Sequence, residues 1–175
     1  IPLEQNIEHA MYGDDYRNRT QYSADLIHQQ AMEWIGKQGG KQPFYGFLTY
    51  TLPHAELVQP QDSIVQYYME KFQNDKSYPG SEGSRYNPIM HTHAQFAAMI
   101  TRLDTYVGQI IKELERQGIA DRTLFIFTSD NGPHQEGGAD PYFFNTEARL
   151  KGLKRALYEG GMRVPYIAYW PGKIQ

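Results

Sequence analysis

The chain has no cysteine, no long apolar run and no large excess of either charge. The missing cysteine excludes disulfides, thiolate metal sites and cysteine nucleophiles within these 175 residues. No run is long or apolar enough to form a transmembrane helix, so we expect no membrane span. The formal net charge is −3 and the basic residues are scattered among acidic ones, which argues against a nucleic-acid partner.

The length and the two ends predict part of a larger domain. A chain of 175 residues can bury one core, which suits one domain or a portion of one. It begins at Ile1 without an initiator Met or a signal-like leader, and it stops soon after an apolar run that ends at Trp170. We therefore expect residues 1–175 to be a segment of a catalytic or binding domain.

Two segments carry apolar residues at helical spacing. The first runs from Ser23, a plausible cap, to Lys37, and glycines follow it. The second ends at Gly118 and has the clearer apolar stripe. The predicted core positions are Leu26, Ile27, Met32, Trp34 and Ile35 in the first helix, and Phe96, Met99, Ile100, Leu103, Val107, Ile110, Ile111 and Leu114 in the second.

Three apolar runs read as strands. They cover residues 44–50, 123–128 and 165–170, and the middle one has so few polar residues that we expect it to be buried on both faces. Helices and strands alternate, which predicts βαβ units with parallel strands. The fold class is therefore α/β, with a mostly parallel sheet sandwiched by helices. Residues 60–88 are rich in Gln, Ser, Gly, Tyr and charge, and we interpret them as a surface insertion.

The middle strand ends in Asp130 and Asn131, at the position where open α/β sheets bind ligands. A carboxylate and an amide offer hard oxygens, which suit Ca²⁺ or Mg²⁺ better than softer metals. Gly132 and Pro133 then turn the chain away. Asp-Asn-Gly is also an ordinary turn sequence, so the pattern alone leaves a plain turn open.

Three separated segments follow one another along the chain: Thr51–His54 after one strand, Thr128–Pro133 after another, and Lys154 followed by Tyr158–Pro165 and Trp170–Lys173. Together they resemble the sulfatase family, within the alkaline phosphatase-like superfamily. Two shorter stretches, Ala98–Asp104 and Gly118–Thr123, also match the usual sulfatase pattern, and the resemblance extends from about Tyr22 onward.

The resemblance implies roles for four of these residues. Asp130 and Asn131 would bind the single divalent cation, Ca²⁺ with Mg²⁺ as the alternative, which stabilises charge on the sulfate. His54 matches the histidine that donates a proton to the leaving group, and Lys154 matches the lysine that holds a sulfate oxygen. Without the resemblance, His54 would be an ordinary loop histidine and Lys154 a solvated lysine.

Other polar residues near these motifs carry weaker expectations. His134 and Asp140 are candidates for contact with the sugar or ring of the substrate, although loop residues of this kind are usually solvated. His91 and His93 lack a nearby third metal ligand, so we interpret them as histidines at the start of a helix. Arg163 and Glu159 are expected to support the Gly160-Gly161 turn.

One half of a sulfatase site is absent from the sequence. The family carries a C/S-x-P-S/A-R motif whose first residue becomes formylglycine, the nucleophile, and neither this motif nor the paired upstream aspartates occurs here. The resemblance thus implies the middle to C-terminal part of a catalytic domain, with formylglycine expected upstream. The missing remainder of the domain is its expected partner, and the segment alone should be inactive.

The resemblance to bacterial carbohydrate sulfatases implies a sulfated glycan substrate and a periplasmic or secreted location. Two rival classes stay open. A phosphomonoesterase, phosphodiesterase or phosphonate hydrolase of the same superfamily would use similar metal chemistry, and a non-catalytic glycan-binding protein could retain the fold. The nucleophile motif would separate these possibilities.

Overall fold

The computed structural model describes residues 21–80 and 86–174, and these form two compact units. The first unit contains residues 21–23, 51–80, 86–103 and 134–146, and the second contains residues 24–50, 104–133 and 147–174. The elements are helices α1 (Ser23–Gly36), α2 (Ser63–Lys71), α3 (Thr92–Arg116) and α4 (Glu159–Met162), strands β1 (Phe125–Thr128) and β2 (Tyr166–Tyr169), and 3₁₀ turns at Ala120–Arg122 and Glu136–Gly138.

The apolar stripe predicted for α3 is buried at Met99, Leu103, Ile110 and Leu114, whereas the prediction was wrong for Ile100, which is exposed. The core of the second unit contains the C-terminal part of this stripe. Its buried side chains are Ile35, Ile110, Leu114 and Ile119, and partly buried residues such as Phe44 and Phe125 pack against them. Burying each Leu or Ile contributes about 1.5–3 kcal/mol relative to an exposed side chain. The helix ends where expected, because Gly118 adopts a φ of 67° that suits glycine after a helix.

Helix α1 forms as predicted but buries a different face. The buried residues are Ala24, His28, Ala31 and Ile35, whereas the predicted core residues Leu26, Ile27 and Trp34 are exposed. The prediction of this face was wrong because two alanines and a histidine define the buried stripe, at the same helical spacing as the more apolar positions.

Hydrogen bonds allow His28 to lie inside the second unit. The Tyr50 hydroxyl lies 2.7 Å from Nδ1 of His28, and Oε1 of Gln109 lies 2.6 Å from Nε2. The ring also stacks on Tyr106, with centroids 4.2 Å apart. Because the Gln109 oxygen can only accept, Nε2 donates to it, and in the neutral ring Nδ1 accepts from the Tyr50 hydroxyl. Burial lowers the pKa of His28 and raises the pKa of Tyr50 to about 12.

This network predicts a loss of stability in mild acid. His28 has a folded-state pKa below its ordinary value of 6.5, so the unfolded state takes up the proton first. Its contribution is present above pH 6.5 and is lost as the pH falls through the lowered value. Urea unfolding of the protein should therefore show less stability at pH 5 than at pH 7.5. A His28→Gln variant should lose part of this difference, and an unchanged difference would exclude His28 as a cause.

The sheet departs from the predicted parallel pairing. Strand β1 pairs with β2 in antiparallel register, with Phe125 opposite Tyr169 and Thr128 opposite Tyr166. Residues 129–165 contain no helix longer than α4 to carry the chain back for a parallel crossover. Burial along β1 alternates, and Leu124 and Ile126 are exposed, so the expectation of cover on both faces was wrong for the described residues.

Residues 44–50, predicted to be a buried strand, belong to no strand in the described ranges. Tyr45 is 83% exposed and Phe47 is 76% exposed, while Phe44 and Tyr50 pack against the core of the second unit. Their alternation suits a pleated strand, yet no described backbone pairs with it. The sequence pattern correctly predicted residues that alternate as in a strand, but the expectation that the segment is buried was wrong.

In the first unit, α2 and the start of α3 are fixed by buried or capping carboxylates. Asp62 caps α2 by accepting hydrogen bonds from the backbone N–H groups of Ile64 and Val65, and Arg102 donates to its second oxygen. Tyr78 and Ile89 form an isolated antiparallel bridge. The structure thus gives residues 60–80 a helix of their own, and their role as an insertion stays a prediction.

No helix within 21–80 or 86–174 is long and apolar enough to cross a membrane.

Candidate functional site

In the second unit, Asp130 and Asn131 follow β1 and offer oxygen atoms. Asp130 is exposed, and its carboxylate has no protein partner among the residues that the structure describes. The Asn131 side-chain amide donates to the Gly132 carbonyl at 2.8 Å, which directs Oδ1 elsewhere as an acceptor. Carboxylate and amide oxygens are ligands that Ca²⁺ and Mg²⁺ prefer, so this pair fits the implied cation.

Close backbone packing holds the loop after these two residues. The Gly132 N–H donates to the Gly161 carbonyl at 2.9 Å. A Cβ atom at Gly132 would lie 2.0 Å from the Gly160 oxygen, and one at Gly160 would lie 2.0 Å from the Gly152 oxygen. Only glycine fits such approaches. The Gly160-Gly161 turn therefore acts as the support for the Asp130–Pro133 loop.

Lys154 is tied to the same loop through its backbone. Its N–H donates to the Pro133 carbonyl at 2.8 Å, which places the start of its side chain beside the Asp130–Pro133 loop. The neighbouring Lys151 has a different role, because its ammonium lies 3.9 Å from the centroid of the Tyr158 ring. Glu159 and Arg163 bind each other at 2.7 Å across one turn. The second unit thus brings Asp130, Asn131 and the Lys154 backbone together.

In the first unit, His54 and His134 stack with ring centroids 5.4 Å apart. Nε2 of His54 lies 3.4 Å from a carboxylate oxygen of Glu136, and Nδ1 is hydrogen-bonded to the Ala55 carbonyl. His134 accepts the Glu136 backbone N–H at Nδ1, and its Nε2 lies 3.2 Å from the Pro53 carbonyl. The structure therefore brings two predicted site residues, His54 and His134, next to Glu136, which the sequence did not indicate as a candidate.

Asp140, predicted to contact the substrate, has protein partners at both oxygens. Lys76 donates to Oδ2 at 2.6 Å, His93 approaches the same atom at 3.3 Å, and the Phe143 N–H donates to Oδ1. The hydrogen bond from Lys76 lowers the pKa of Asp140 to about 2. The carboxylate is therefore charged at neutral pH and braces the loop that contains it.

His93 lies in the first turn of α3, as the interpretation of a helix-start histidine requires. Its Nδ1 is 2.7 Å from Asp75, and Asp75 also accepts the backbone N–H groups of His93 and Ala94. This carboxylate caps the helix and holds the buried ring at the same time. Within residues 21–80 and 86–174, no three His, Asp or Glu side chains are grouped as a metal site. Any cation at Asp130 and Asn131 needs further ligands.

A surface depression of about 320 Å³ lies beside Asp140 in the first unit. Residues of the predicted insertion and of the loop after His134 line it together, including Lys76, Tyr78, Gln135 and Tyr142. Tyrosine rings suit a sugar, because rings pack against sugar faces, while the Lys76 ammonium at this wall is paired with Asp140.

The sulfatase family model matches residues 2–175. The chain is 30% identical over 134 residues to the uncharacterized sulfatase YdeN of Escherichia coli strain K12, covering 77% of the chain and 20% of that protein. It is 27% identical over 154 residues to human N-acetylgalactosamine-6-sulfatase, covering 83% and 23%. The crystal structure of Ps i-CgsB in complex with k-i-k-neocarrahexaose superposes with a TM-score of 0.63 at 29% identity, over 88% of the chain and 29% of that structure.

The chain therefore belongs to the sulfatase family, a family of sulfuric ester hydrolases. Its fold class is that of the sulfatase catalytic domains, which confirms the predicted α/β class. The chain spans between 20% and 29% of the length of these relatives.

Proposed function

We propose that this chain contributes the C-terminal part of the active site of a sulfatase that hydrolyses sulfate esters on a glycan. The observation that carries the proposal is the backbone link between the Asp130–Pro133 loop and Lys154. Through this link, the loop that contains the two proposed oxygen ligands, Asp130 and Asn131, lies beside the backbone of Lys154. Sulfate ester cleavage needs these elements, because negative charge must be held on the sulfate while the ester bond breaks.

Asp130 and Asn131 are the proposed ligands of a divalent cation, Ca²⁺ with Mg²⁺ as the alternative. The exposed Asp130 carboxylate and the amide oxygen of Asn131 support this assignment. A bound cation would stabilise the charge that develops on the sulfate oxygens. Because two ligands do not complete a Ca²⁺ site, we propose that an upstream part of the domain supplies the others, together with the formylglycine nucleophile.

Lys154 is proposed to hold a sulfate oxygen, and His54 to give a proton to the leaving oxygen. An ammonium group acts as a point charge for a sulfate, and imidazole titrates near neutral pH, as proton transfer requires. His54 has a 42% exposed side chain, so a substrate can reach its ring. Asp140 and His134 are proposed to lie near the bound substrate in the first unit. Asp140 would brace the loop that contains it, and His134 would support His54.

The proposed substrate is a sulfated carbohydrate. One relative is named as an N-acetylgalactosamine-6-sulfatase, and one similar structure contains a neocarrahexaose. The depression beside Asp140, with Lys76, Tyr78 and Tyr142 at its walls, supports a sugar in the first unit. A glycan substrate also supports a periplasmic or secreted location, because polymeric sugars are met outside the cytoplasm.

The direct test compares substrates on a complete catalytic domain that contains this segment. Sulfated oligosaccharides should be hydrolysed, EDTA should remove the activity, and added Ca²⁺ should restore it. The 175-residue chain alone should release no sulfate above background. Preference for phosphate esters over sulfate esters would favour a phosphatase of the same superfamily, and binding of the glycan without any hydrolysis would favour a non-catalytic protein.

A pair of lysine variants tests the sulfate-binding role. Lys154→Gln should lower kcat/KM for a sulfated sugar by about 100-fold, because one charged donor to the transition state is lost. Lys151→Gln removes the same charge only three residues away, from an ammonium that packs on Tyr158. Its kcat/KM should stay near the wild-type value. Equal losses in the two variants would contradict a specific role for Lys154.

A further inference from the structure

We infer that Glu136 is a positioning residue that orients the His54 ring, with Nε2 toward its carboxylate, for proton transfer to the leaving oxygen. The inference rests on the proposed sulfatase function and extends it to a residue without an assigned role. Three observations in the first unit carry it: the acceptors around His54, the tautomer of His134, and the packing of the turn that contains Glu136.

Both ring nitrogens of His54 face oxygen acceptors. Nδ1 meets the Ala55 carbonyl, and Nε2 lies 3.4 Å from Oε2 of Glu136. A carbonyl and an ionised carboxylate can only accept hydrogen bonds, so the ring satisfies both when it carries both protons. The Glu136 side chain is only 13% exposed, so solvent screens this attraction less than it would at the surface.

The hydrogen bonds of the stacked His134 require a neutral ring. Its Nδ1 accepts the Glu136 N–H at 3.1 Å, so that nitrogen carries no proton, and its Nε2 donates to the Pro53 carbonyl at 3.2 Å. His134 is buried, and both bonds require the neutral ring. A neutral neighbour avoids repulsion against a charged His54. Among residues 21–80 and 86–174, the groups that face His54 include Glu136, His134 and the Tyr86 ring, whose centroid is 6.3 Å away.

The turn that contains Glu136 is packed against the residue next to His54. Gly137 has a φ of 60°, and a Cβ atom there would lie 2.8 Å from the Ala55 side chain. Glycine thus lets the Glu136–Gly138 turn approach Ala55 closely, which fixes the distance from the carboxylate to the ring. The turn therefore orients Glu136 toward His54.

The distance between the two side chains suits a proton donor. A separation of 3.4 Å is longer than a strong charge-assisted hydrogen bond, so Glu136 attracts the Nε2 proton without holding it tightly. As the oxygen of the proposed upstream formylglycine hydrate forms its bond to sulfur, the bond between sulfur and the sugar oxygen breaks. The electron pair stays on the sugar oxygen, and the Nε2 proton of His54 moves to it. Glu136 itself does not touch the reacting atoms.

Substrates with different leaving groups separate this role from general damage to the fold. In a complete catalytic domain, Glu136→Gln should lower kcat about tenfold for a sulfated sugar, a poor leaving group, with little change in KM. For 4-nitrophenyl sulfate, whose leaving group needs no proton, kcat should change little. Glu70 is an exposed carboxylate that accepts a hydrogen bond from Gln66. Glu70→Gln removes the same charge elsewhere in the first unit and should change kcat for neither substrate.

A spectroscopic measurement tests Glu136 independently of turnover. Ring ¹⁵N chemical shifts should show a proton on Nε2 of His54 and a neutral His134 protonated at Nε2 in the wild type. Glu136→Gln should shift the His54 Nε2 signal and leave the His134 tautomer unchanged. Unaltered His54 signals, or equal kcat losses for both substrates, would overturn the inference. If neither substrate is hydrolysed by the wild type, the proposed function fails, while the ¹⁵N result still decides whether Glu136 controls His54.

Discussion

Asp130→Ala is expected to lower turnover of a sulfated sugar by at least about 1,000-fold in a complete catalytic domain, because a metal contributes several kcal/mol to transition-state stability. The carboxylate is exposed and has no partner in the described ranges, so its removal should cost the fold little. Loss of a charged ligand should instead weaken binding of the cation. Calorimetry with Ca²⁺ should show weaker binding, alongside the loss of kcat.

The control for this variant is Asp104→Ala, which removes an exposed aspartate from the surface of α3 in the same unit. It should retain the Ca²⁺ affinity and the turnover of the wild type. Saturating Ca²⁺ should also raise the unfolding temperature of the wild type and of Asp104→Ala, but much less that of Asp130→Ala, since a ligand stabilises only the state that binds it. Wild-type turnover in Asp130→Ala would remove Asp130 from the site.

Local patterns predicted the elements whose stability is local. Most of the apolar stripe of α3, except Ile100, and the position of the polar residues at the end of β1 were predicted correctly, because helical spacing and turn chemistry are properties of adjacent residues. The buried face of α1 was not, because His28 is accepted into the interior only through Tyr50 and Gln109, which lie 22 and 81 residues away. A long-range hydrogen bond leaves no local signal.

The same limit explains the errors in the sheet and the missed residue in the site. The direction of β2 depends on the chain that joins it to β1, and burial of residues 44–50 depends on a partner strand that the described ranges do not contain. Glu136 became a candidate only when its turn was seen beside Ala55. Asp130, Asn131, His54 and Lys154 became candidates through the order of their motifs along the chain. No single motif would have supported their assignment.

Gly132→Ala is expected to have a second large effect, although the residue contributes no chemistry. A Cβ atom at this position would lie 2.0 Å from the Gly160 oxygen and 3.1 Å from the Gly161 Cα. Both neighbours are backbone atoms of a buried turn, so they cannot rotate away as a flexible side chain would. The φ angle of Gly132 is not in the left-handed region, and the requirement for glycine is therefore one of space.

The two backbone segments must separate to admit the methyl group. This would break the hydrogen bond from Gly132 to Gly161 and disturb the link from Lys154 to Pro133. We expect a loss of about 3 kcal/mol in stability, typical of overpacking against a rigid backbone. The proposed metal ligands and the lysine proposed to bind sulfate would also lose their relative positions, so turnover should fall even at temperatures where the variant is folded.

Gly108→Ala provides the matched control, since it adds the same methyl group within α3 in the second unit, where no atom lies within 4 Å of the new Cβ. It should gain about 0.5–1 kcal/mol, because alanine favours a helix more than glycine does. Thermal unfolding and turnover of a sulfated sugar would measure both variants. A Gly132→Ala protein with wild-type stability and kcat would show that the Gly160-Gly161 turn is not the support of the Asp130–Pro133 loop. It would also contradict the proposal that the backbone link to Lys154 forms a sulfate site.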